Sequence, residues 1–199
     1  KFKKSSLPES CFMEITKQGI EHVYAKVCMP GRLLGEKDKV VSEVMNAYFG
    51  GGMNSRLFKE VREKRGLAYS IGSSLSDFSG DGSIQTISFS TRDENLNNTL
   101  SVIEKEIENL VENEITEYDL VRVKNQIKSS FYSFLESSSS LCSYELSRII
   151  NRECSIDTHI SLIESITPKD IKEFAGRLFC KENVITIVCS GESEDADAN

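Results

Sequence analysis

The chain has 199 residues, of which 39% are hydrophobic and 28% charged, a composition typical of a soluble globular protein. Its net charge of −7 argues against non-specific nucleic-acid binding, which needs a basic face. No apolar run approaches the ~20 residues of a membrane span, and the length favours one domain with a substantial core.

The first elements in chain order are two strands and a helix. Apolar and polar residues alternate roughly from Cys11 to Thr16 and again from Ile20 to Met29, which predicts two strands. Pro30 and Gly31 are expected to end the second strand. Apolar residues at helical spacing then predict a helix from about Lys37 to Phe49.

The most distinctive stretch, Gly50 to Ser70, reads GGGMNSRLFKEVREKRGLAYS. Three glycines release the backbone from the ordinary φ/ψ limits, and either Asn54 or Ser55 is positioned to cap a short helix. Gly66 is expected to stop that helix in the left-handed conformation. The stretch is not a phosphate-binding loop of the P-loop type, because no Gly-Lys-Ser/Thr follows the glycines. It is not a dinucleotide-binding motif either, because it lacks the pattern G-x-G-x-x-G.

A hairpin and a series of helices complete the chain. The strands of the hairpin are expected at Leu67 to Leu75 and Ser83 to Thr91, with Ile87 and Phe89 facing the core. Apolar stripes then predict four or five helices, and capping threonines mark two of the starts. The predicted helices and their landmarks are Asp93 to Asn113, a helix capped by Thr116, a break at Ser137 to Ser140, a short piece at Ile160 to Ile166, and a helix from Thr167 to about Phe179. Val184 to Cys189 closes the chain as a strand.

The order of these elements predicts an α+β fold. Hairpins mixed with runs of helices indicate two layers, a mixed or antiparallel sheet with helices packed mainly on one face. We assign residues 11–190 to a single domain of this kind. Residues 1–10 lack the apolar segment of a signal peptide and are interpreted as a linker or a truncated beginning. Residues 191–199 are expected to form an acidic disordered tail.

Six cysteines are present, and none forms a Cys-x-x-Cys pair. An even number permits three disulfides in a secreted protein. Several cysteines, such as Cys28 and Cys189, lie within apolar stretches, so we expect buried free thiols instead. This favours the cytoplasm or another reducing compartment, such as the mitochondrial matrix.

The residues of common catalytic sites are scarce. His22 and His159 are the only histidines, 137 positions apart, so no His-x-x-Glu-His zinc motif exists and we predict no metal site in this chain. Both are interpreted as ordinary surface or strand residues. No Gly-x-Ser-x-Gly motif is present, and no spacing singles out a Cys/His dyad.

The segment GGGMNSRLFKEVREKRGLAYSI resembles the second, non-zinc half of the insulinase-like (pitrilysin-type) zinc metallopeptidases, which include the bacterial and mitochondrial processing peptidases. The resemblance extends from about Ile20 to Val188 and includes ITEYDLVRVKNQIKSSFYSFLES and ITPKDIKEFAGRLF. It implies a half-domain that closes over a zinc-bearing half. The zinc would belong to that complementary half, located before Lys1 or in a partner chain, and the substrate would be a peptide.

The resemblance also implies roles for individual residues. In this family the non-zinc half contributes an arginine and a tyrosine seven residues apart, and Arg62 and Tyr69 have that spacing here. They would bind substrate and stabilise the oxyanion of the transition state. From the residues alone, Arg62 could instead pair with Glu60 or Asp77, Tyr69 could be half-buried packing, and Arg65 is a rival for the arginine.

The glycine-rich segment carries a further expectation from the same resemblance. In the processing peptidases it lies near the substrate cleft, which would make Gly50, Gly51, Gly52, Met53 and Asn54 substrate contacts. A purely structural turn is the alternative for this segment. For the whole chain the alternative function is a non-catalytic assembly module of the same fold, as in the core subunits of the respiratory bc1 complex.

Overall fold

The computed structural model describes residues 9–31, 34–78, 82–151, 154–179 and 183–191. Within these residues, five strands form one mixed sheet in the spatial order β1-β5-β2-β4-β3. The strands are β1 (Cys11–Lys17), β2 (Val23–Gly31), β3 (Ala68–Asp77), β4 (Ser83–Thr91) and β5 (Ile185–Gly191). β5 therefore lies between the first two strands of the chain, and among the described strands only β1 and β5 form a parallel pair.

Helices occupy the segments that the sequence predicts, with two differences: the short piece predicted from Ile160 begins at Ile156, and a helix already starts at Ser138 within the serine-rich break. They are α1 (Glu36–Phe49), α2 (Leu96–Glu112), α3 (Glu117–Leu135), α4 (Ser138–Asn151), α5 (Ile156–Ser165) and α6 (Pro168–Leu178). A π-helical turn, Phe58–Glu63, lies between α1 and β3, and a 3₁₀ turn, Asp93–Asn95, precedes α2. The serine-rich break is a helix restart, because α3 ends at Leu135 and α4 begins at Ser138.

The predicted threonine caps are confirmed. The Thr116 hydroxyl accepts a hydrogen bond from the Asp119 amide at 3.1 Å at the start of α3. At the start of α6, Thr167 and Asp170 form a complete capping box, in which each side chain accepts from the other residue's backbone amide. These bonds satisfy amides that lack a partner within the helix, and they fix where α3 and α6 begin.

Helices cover one face of the sheet, as predicted. In β2 the alternate residues Val23, Ala25, Val27 and Met29 are buried, whereas Tyr24 is 54% exposed on the opposite face. Ile87 and Phe89 of β4 lie on the covered face, with 0% and 3% exposure. Fully buried helical side chains, such as Met45 and Phe49, pack against this face. The core therefore lies between the two layers of the α+β fold.

The first strand lies at an edge of the sheet and is open on both faces. Among the described residues β1 pairs only with β5, and all seven of its residues are exposed. Three of them are large apolar side chains, Phe12, Met13 and Ile15, with exposures of 59%, 49% and 47%. Edge strands of this kind present unpaired backbone groups to their surroundings.

Two expectations from the sequence need correction. β2 begins at Val23 rather than at Ile20, and although it ends at Gly31 as expected, Pro30 and Gly31 still pair with Ile84 and Ser83, because proline is tolerated at the end of a strand. The described cysteines are not buried: Cys11 and Cys142 are exposed, and Cys28, Cys154 and Cys189 are intermediate. Strand alternation alone does not reveal that one face of the sheet stays uncovered.

Cys180 and most of the residues assigned to the linker and the tail lie outside the described part of the chain. Glu9 and Ser10 are described, and the Ser10 hydroxyl accepts a hydrogen bond from the Val184 amide at 3.0 Å. Among the described helices, none combines the length and the apolar character needed to cross a bilayer.

Candidate functional site

The π-helical turn is fixed at both ends. Ser55, which is fully buried, accepts a hydrogen bond from the Phe58 amide at 3.4 Å and donates one to the Gly52 carbonyl at 2.6 Å. Ser55 rather than Asn54 is therefore the cap. At the other end Gly66 has φ +61°, and its amide donates to the Arg62 carbonyl at 3.0 Å, as in an αL cap. The predicted glycine stop is confirmed.

A buried carboxylate organises the basic side chains of this turn. Glu60, 6% exposed, accepts hydrogen bonds from Lys64 Nζ at 2.6 Å and Arg65 Nη1 at 2.8 Å. These bonds hold the pKa of the Glu60 carboxyl at about 2, below its ordinary 4.5. Arg56 lies 3.9 Å from the same carboxylate and donates to buried Glu106 of α2 at 2.6 Å. Arg65, the rival candidate for the arginine of the site, is thus held in an ion pair with Glu60.

Arg62 takes no part in this network. Its side chain is exposed, and in the described part of the chain it forms no ion pair. The centre of its guanidinium lies 4.9 Å from the centroid of the Phe58 ring and 5.5 Å from that of Tyr69. The two acids considered as its partners bind other groups. Glu60 binds Lys64 and Arg65, and Asp77 pairs with Lys39 at 2.7 Å. The alternative in which Arg62 pairs with either acid is wrong.

Tyr69 owes its position to an irregularity in β3. Ala68 pairs with Thr91, but Ser70 pairs with the adjacent Ser90, so Tyr69 is the extra residue of a β-bulge. A bulge redirects a side chain away from the regular alternation of the strand. The Tyr69 side chain is 76% exposed, so the alternative of half-buried packing is also wrong. The bulge and the helical turn bring Tyr69 and Arg62 together.

The first part of the glycine-rich segment is built into the fold. The amides of Gly50 and Gly51 donate to the Asn46 carbonyl at 2.9 and 2.7 Å, and the Gly50 carbonyl accepts from the Ser73 amide at 3.3 Å. A Cβ added to Gly50 would lie 2.4 Å from the Ser73 amide nitrogen. Close approach to α1 and β3 therefore explains these two glycines.

The second part of the segment points outward. Gly52 has φ +101°, a conformation that favours glycine, and is exposed. Met53 is 74% exposed at the tip of the turn, and Asn54 beside it is also exposed. Of the five residues that the sequence nominates as substrate contacts, the last three are thus accessible.

A buried amide network beneath the glycine turn was not anticipated from the sequence. Gln85, with 0% exposure, donates to Asn46 Oδ1 at 2.9 Å and accepts from Asn46 Nδ2 at 3.3 Å. The Ser73 hydroxyl donates to the same Oδ1 at 2.7 Å. Because Asn46 and Gln85 are 39 residues apart, no local pattern indicates their contact. The network ties the end of α1 to β3 and β4.

The glycine turn and the arginine–tyrosine pair adjoin the same strand. Ser73, which holds the turn, is four residues after Tyr69, or about 13 Å along β3. The exposed pair offers the N–H groups of a guanidinium and a phenolic O–H, all able to donate to a carbonyl or carboxylate oxygen. The site is therefore a pair of exposed hydrogen-bond donors near an exposed turn.

The described residues do not fit a zinc centre. They contain no group of three or more histidine, cysteine, aspartate or glutamate side chains that could hold a metal ion. His22 is exposed before β2, and His159 of α5 lies with its Nε2 3.1 Å from Glu43 Oε2. The two histidines are not brought together.

Comparisons with known proteins agree on one family. A family model described as "Peptidase M16 inactive domain" matches residues 2–127. An uncharacterized zinc protease from Streptomyces coelicolor is 28% identical over 193 residues, which cover 94% of this chain and 40% of that protein. The chain thus spans less than half of that relative's length.

Solved structures share the fold. The peptidase M16 inactive domain from Pseudomonas fluorescens superposes with a TM-score of 0.84 at 18% identity, covering 97% of this chain and 46% of the other. A chain of complex III2 from Candida albicans gives 0.74 at 16% identity, with coverages of 91% and 46%. The family match covers more than half of the chain, and we conclude that it belongs to the peptidase M16 family, as the inactive, C-terminal type of domain found in zinc-protease-like proteins.

Proposed function

We propose that this chain is the non-zinc half of a zinc-dependent endopeptidase, in which Arg62 and Tyr69 bind the backbone carbonyl of a peptide substrate and stabilise the transition state. The observation that carries the proposal is the pairing of two exposed hydrogen-bond donors. The Arg62 guanidinium lies 5.5 Å from the Tyr69 ring, and no carboxylate of the described residues occupies it.

The physical argument concerns where negative charge develops. When a peptide bond is attacked, charge accumulates on the carbonyl oxygen, and donors held in place beforehand stabilise that charge. Arginine remains charged at any working pH, and tyrosine supplies a second, neutral donor. The bulge in β3 and the capped helical turn hold both residues on rigid elements of the fold rather than on a loose loop.

The catalytic metal must come from elsewhere, because the described residues do not fit a zinc centre. We place the zinc in a homologous half, either in the same polypeptide or in a partner chain. The Streptomyces relative named as a zinc protease is more than twice as long as the segment that this chain matches, which leaves length for such a half. Gly52, Met53 and Asn54 are proposed as additional peptide contacts beside the pair.

The proposal is tested with the chain combined with its zinc-bearing half, using cleavage of an internally quenched peptide library. Arg62→Ala is expected to reduce kcat/KM about 100-fold or more, the usual cost of losing an oxyanion donor. Tyr69→Phe removes only the hydroxyl and should reduce it as well. Full activity of Arg62→Ala would overturn the assigned role.

Two matched variants separate site chemistry from general effects of surface substitution. Arg92→Ala removes an exposed arginine whose only ion pair within the described residues is with the neighbouring Glu94. Tyr118→Phe alters a tyrosine that is 78% exposed, close to the 76% of Tyr69, but lies on α3. Both should retain wild-type activity.

The second candidate function is a non-catalytic assembly module. It is supported by the fold that this chain shares with a chain of complex III2 from Candida albicans, a protein that is part of a complex by its name. Under this function the complementary half would lack His-x-x-Glu-His, and the assembled protein would cleave no peptide at any zinc concentration. The sequence of the complementary half together with the same cleavage assay distinguishes the two candidates.

A further inference from the structure

The Arg62 guanidinium lies close to two aromatic rings from different elements. Its central carbon is 4.9 Å from the Phe58 centroid and 5.5 Å from the Tyr69 centroid. Both distances are within the ~6 Å range of cation–π attraction. Phe58 precedes Arg62 by four residues, a spacing that brings side chains together on a helical surface. Tyr69 reaches the cation from β3.

A contact with a ring face differs from an ion pair because it leaves the N–H groups of the guanidinium available for hydrogen bonds. A carboxylate would occupy the N–H groups of the guanidinium, as Glu60 does for Arg65. A ring face attracts the cation without accepting those N–H groups in conventional hydrogen bonds. Phe58 also limits the rotamers of a long, exposed side chain that would otherwise lose considerable entropy on binding. The donors of Arg62 thus stay free while the side chain is restrained.

We propose that Phe58 is a positioning residue for the candidate site. It holds the Arg62 guanidinium toward Tyr69 in an orientation ready to bind a peptide carbonyl, and it does not itself touch the substrate. This inference rests on the proposed function of Arg62. It assigns a functional reason to a partly exposed phenylalanine on a turn whose core contacts are made by Leu57 and Val61, both with 0% exposure.

The test uses the chain assembled with its zinc-bearing half and compares Phe58→Leu, Phe58→Tyr and Arg62→Ala with the double variant Phe58→Leu/Arg62→Ala. Phe58→Leu keeps an apolar side chain but removes the ring, and we expect kcat/KM to fall about threefold to tenfold, in line with one cation–π contact. Phe58→Tyr keeps the ring face and should restore activity. The double variant should be no less active than Arg62→Ala alone.

Separate outcomes overturn the inference and the proposed function. If Arg62→Ala is fully active, the proposed function of the pair is wrong and the inference falls with it. If Arg62→Ala is impaired but Phe58→Leu is not, only the positioning role is wrong. The same holds if Phe58→Leu costs as much in the Arg62→Ala background as in the wild type, because its effect would then not pass through Arg62.

Stability is measured alongside activity for every variant. If the role of Phe58 is purely structural, Phe58→Leu should lower kcat/KM and the urea midpoint together. Phe58→Tyr should then restore both quantities or neither. Phe134→Leu, which removes a 46%-exposed ring from α3, is the matched control and should retain wild-type kcat/KM. Loss of activity in Phe58→Leu at an unchanged urea midpoint is the result expected for a positioning residue.

Discussion

The buried carboxylate of Glu60 provides the sharpest stability prediction. Glu60→Gln keeps the shape of the protonated side chain but removes the charge that binds Lys64 and Arg65 at 2.6 and 2.8 Å. The pKa of this carboxyl is about 2 in the folded protein, against an ordinary 4.5. We therefore expect the substitution to destabilise the fold at neutral pH.

The magnitude follows from the difference between these pKa values. A pKa difference of about 2.5, at about 1.4 kcal/mol for each pKa unit, corresponds to about 3.5 kcal/mol of stability from the ionised carboxylate. The two partner side chains are 64% and 39% exposed, and screening by solvent reduces the expected loss to about 2 kcal/mol. Because the folded pKa is depressed, this contribution is complete above about pH 5 and disappears as the pH falls from 4.5 toward 2.

Urea unfolding followed by far-UV circular dichroism measures this loss at pH 7 and at pH 3. The free energy of unfolding of the wild type should exceed that of Glu60→Gln by about 2 kcal/mol at pH 7 and by less than half of that at pH 3. Glu104→Gln, an exposed carboxylate on α2, is the control and should stay within about 0.5 kcal/mol of the wild type. An equal difference at both pH values would refute the assignment of the effect to the Glu60 charge.

Two further substitutions test the turn and the helix start, each by the shift in urea midpoint. Gly50→Ala places a methyl group 2.4 Å from the Ser73 amide nitrogen and should lower the free energy of unfolding by about 2 kcal/mol. Gly176→Ala is the control in α6, where an added Cβ meets no neighbouring group within 4 Å, and it should leave the stability unchanged or raise it by up to about 1 kcal/mol. Thr167→Ala removes the acceptor of the Asp170 amide and should cost about 1 kcal/mol. Wild-type stability in Gly50→Ala or Thr167→Ala would contradict these contacts.

The order of elements could be predicted because each depends on local patterns. The stripe of α2, the threonine caps of α3 and α6, and the glycine stop at Gly66 are all properties of neighbouring residues. The insertion of β5 between β1 and β2 depends instead on contacts more than 150 residues apart. No local pattern contains that information.

The candidate site was predictable in part for the same reason. The seven-residue spacing nominates Arg62 and Tyr69, but it cannot show which arginine Glu60 binds. That choice depends on the π-helical turn and on the bulge at Tyr69, neither of which has a sequence signature as clear as a helix cap. The contact of Asn46 with Gln85 likewise joins residues that only the folded sheet brings together.

The open edge at β1 has a consequence for handling this chain. Phe12, Met13 and Ile15 flank a row of backbone groups that can accept another strand, and no proline or bulge in β1 blocks such pairing. When this chain is produced by itself, we expect strand addition between copies, increasingly so at high concentration. Co-expression with the zinc-bearing half proposed above, or the substitution Met13→Lys, should therefore improve the recovery of dispersed protein.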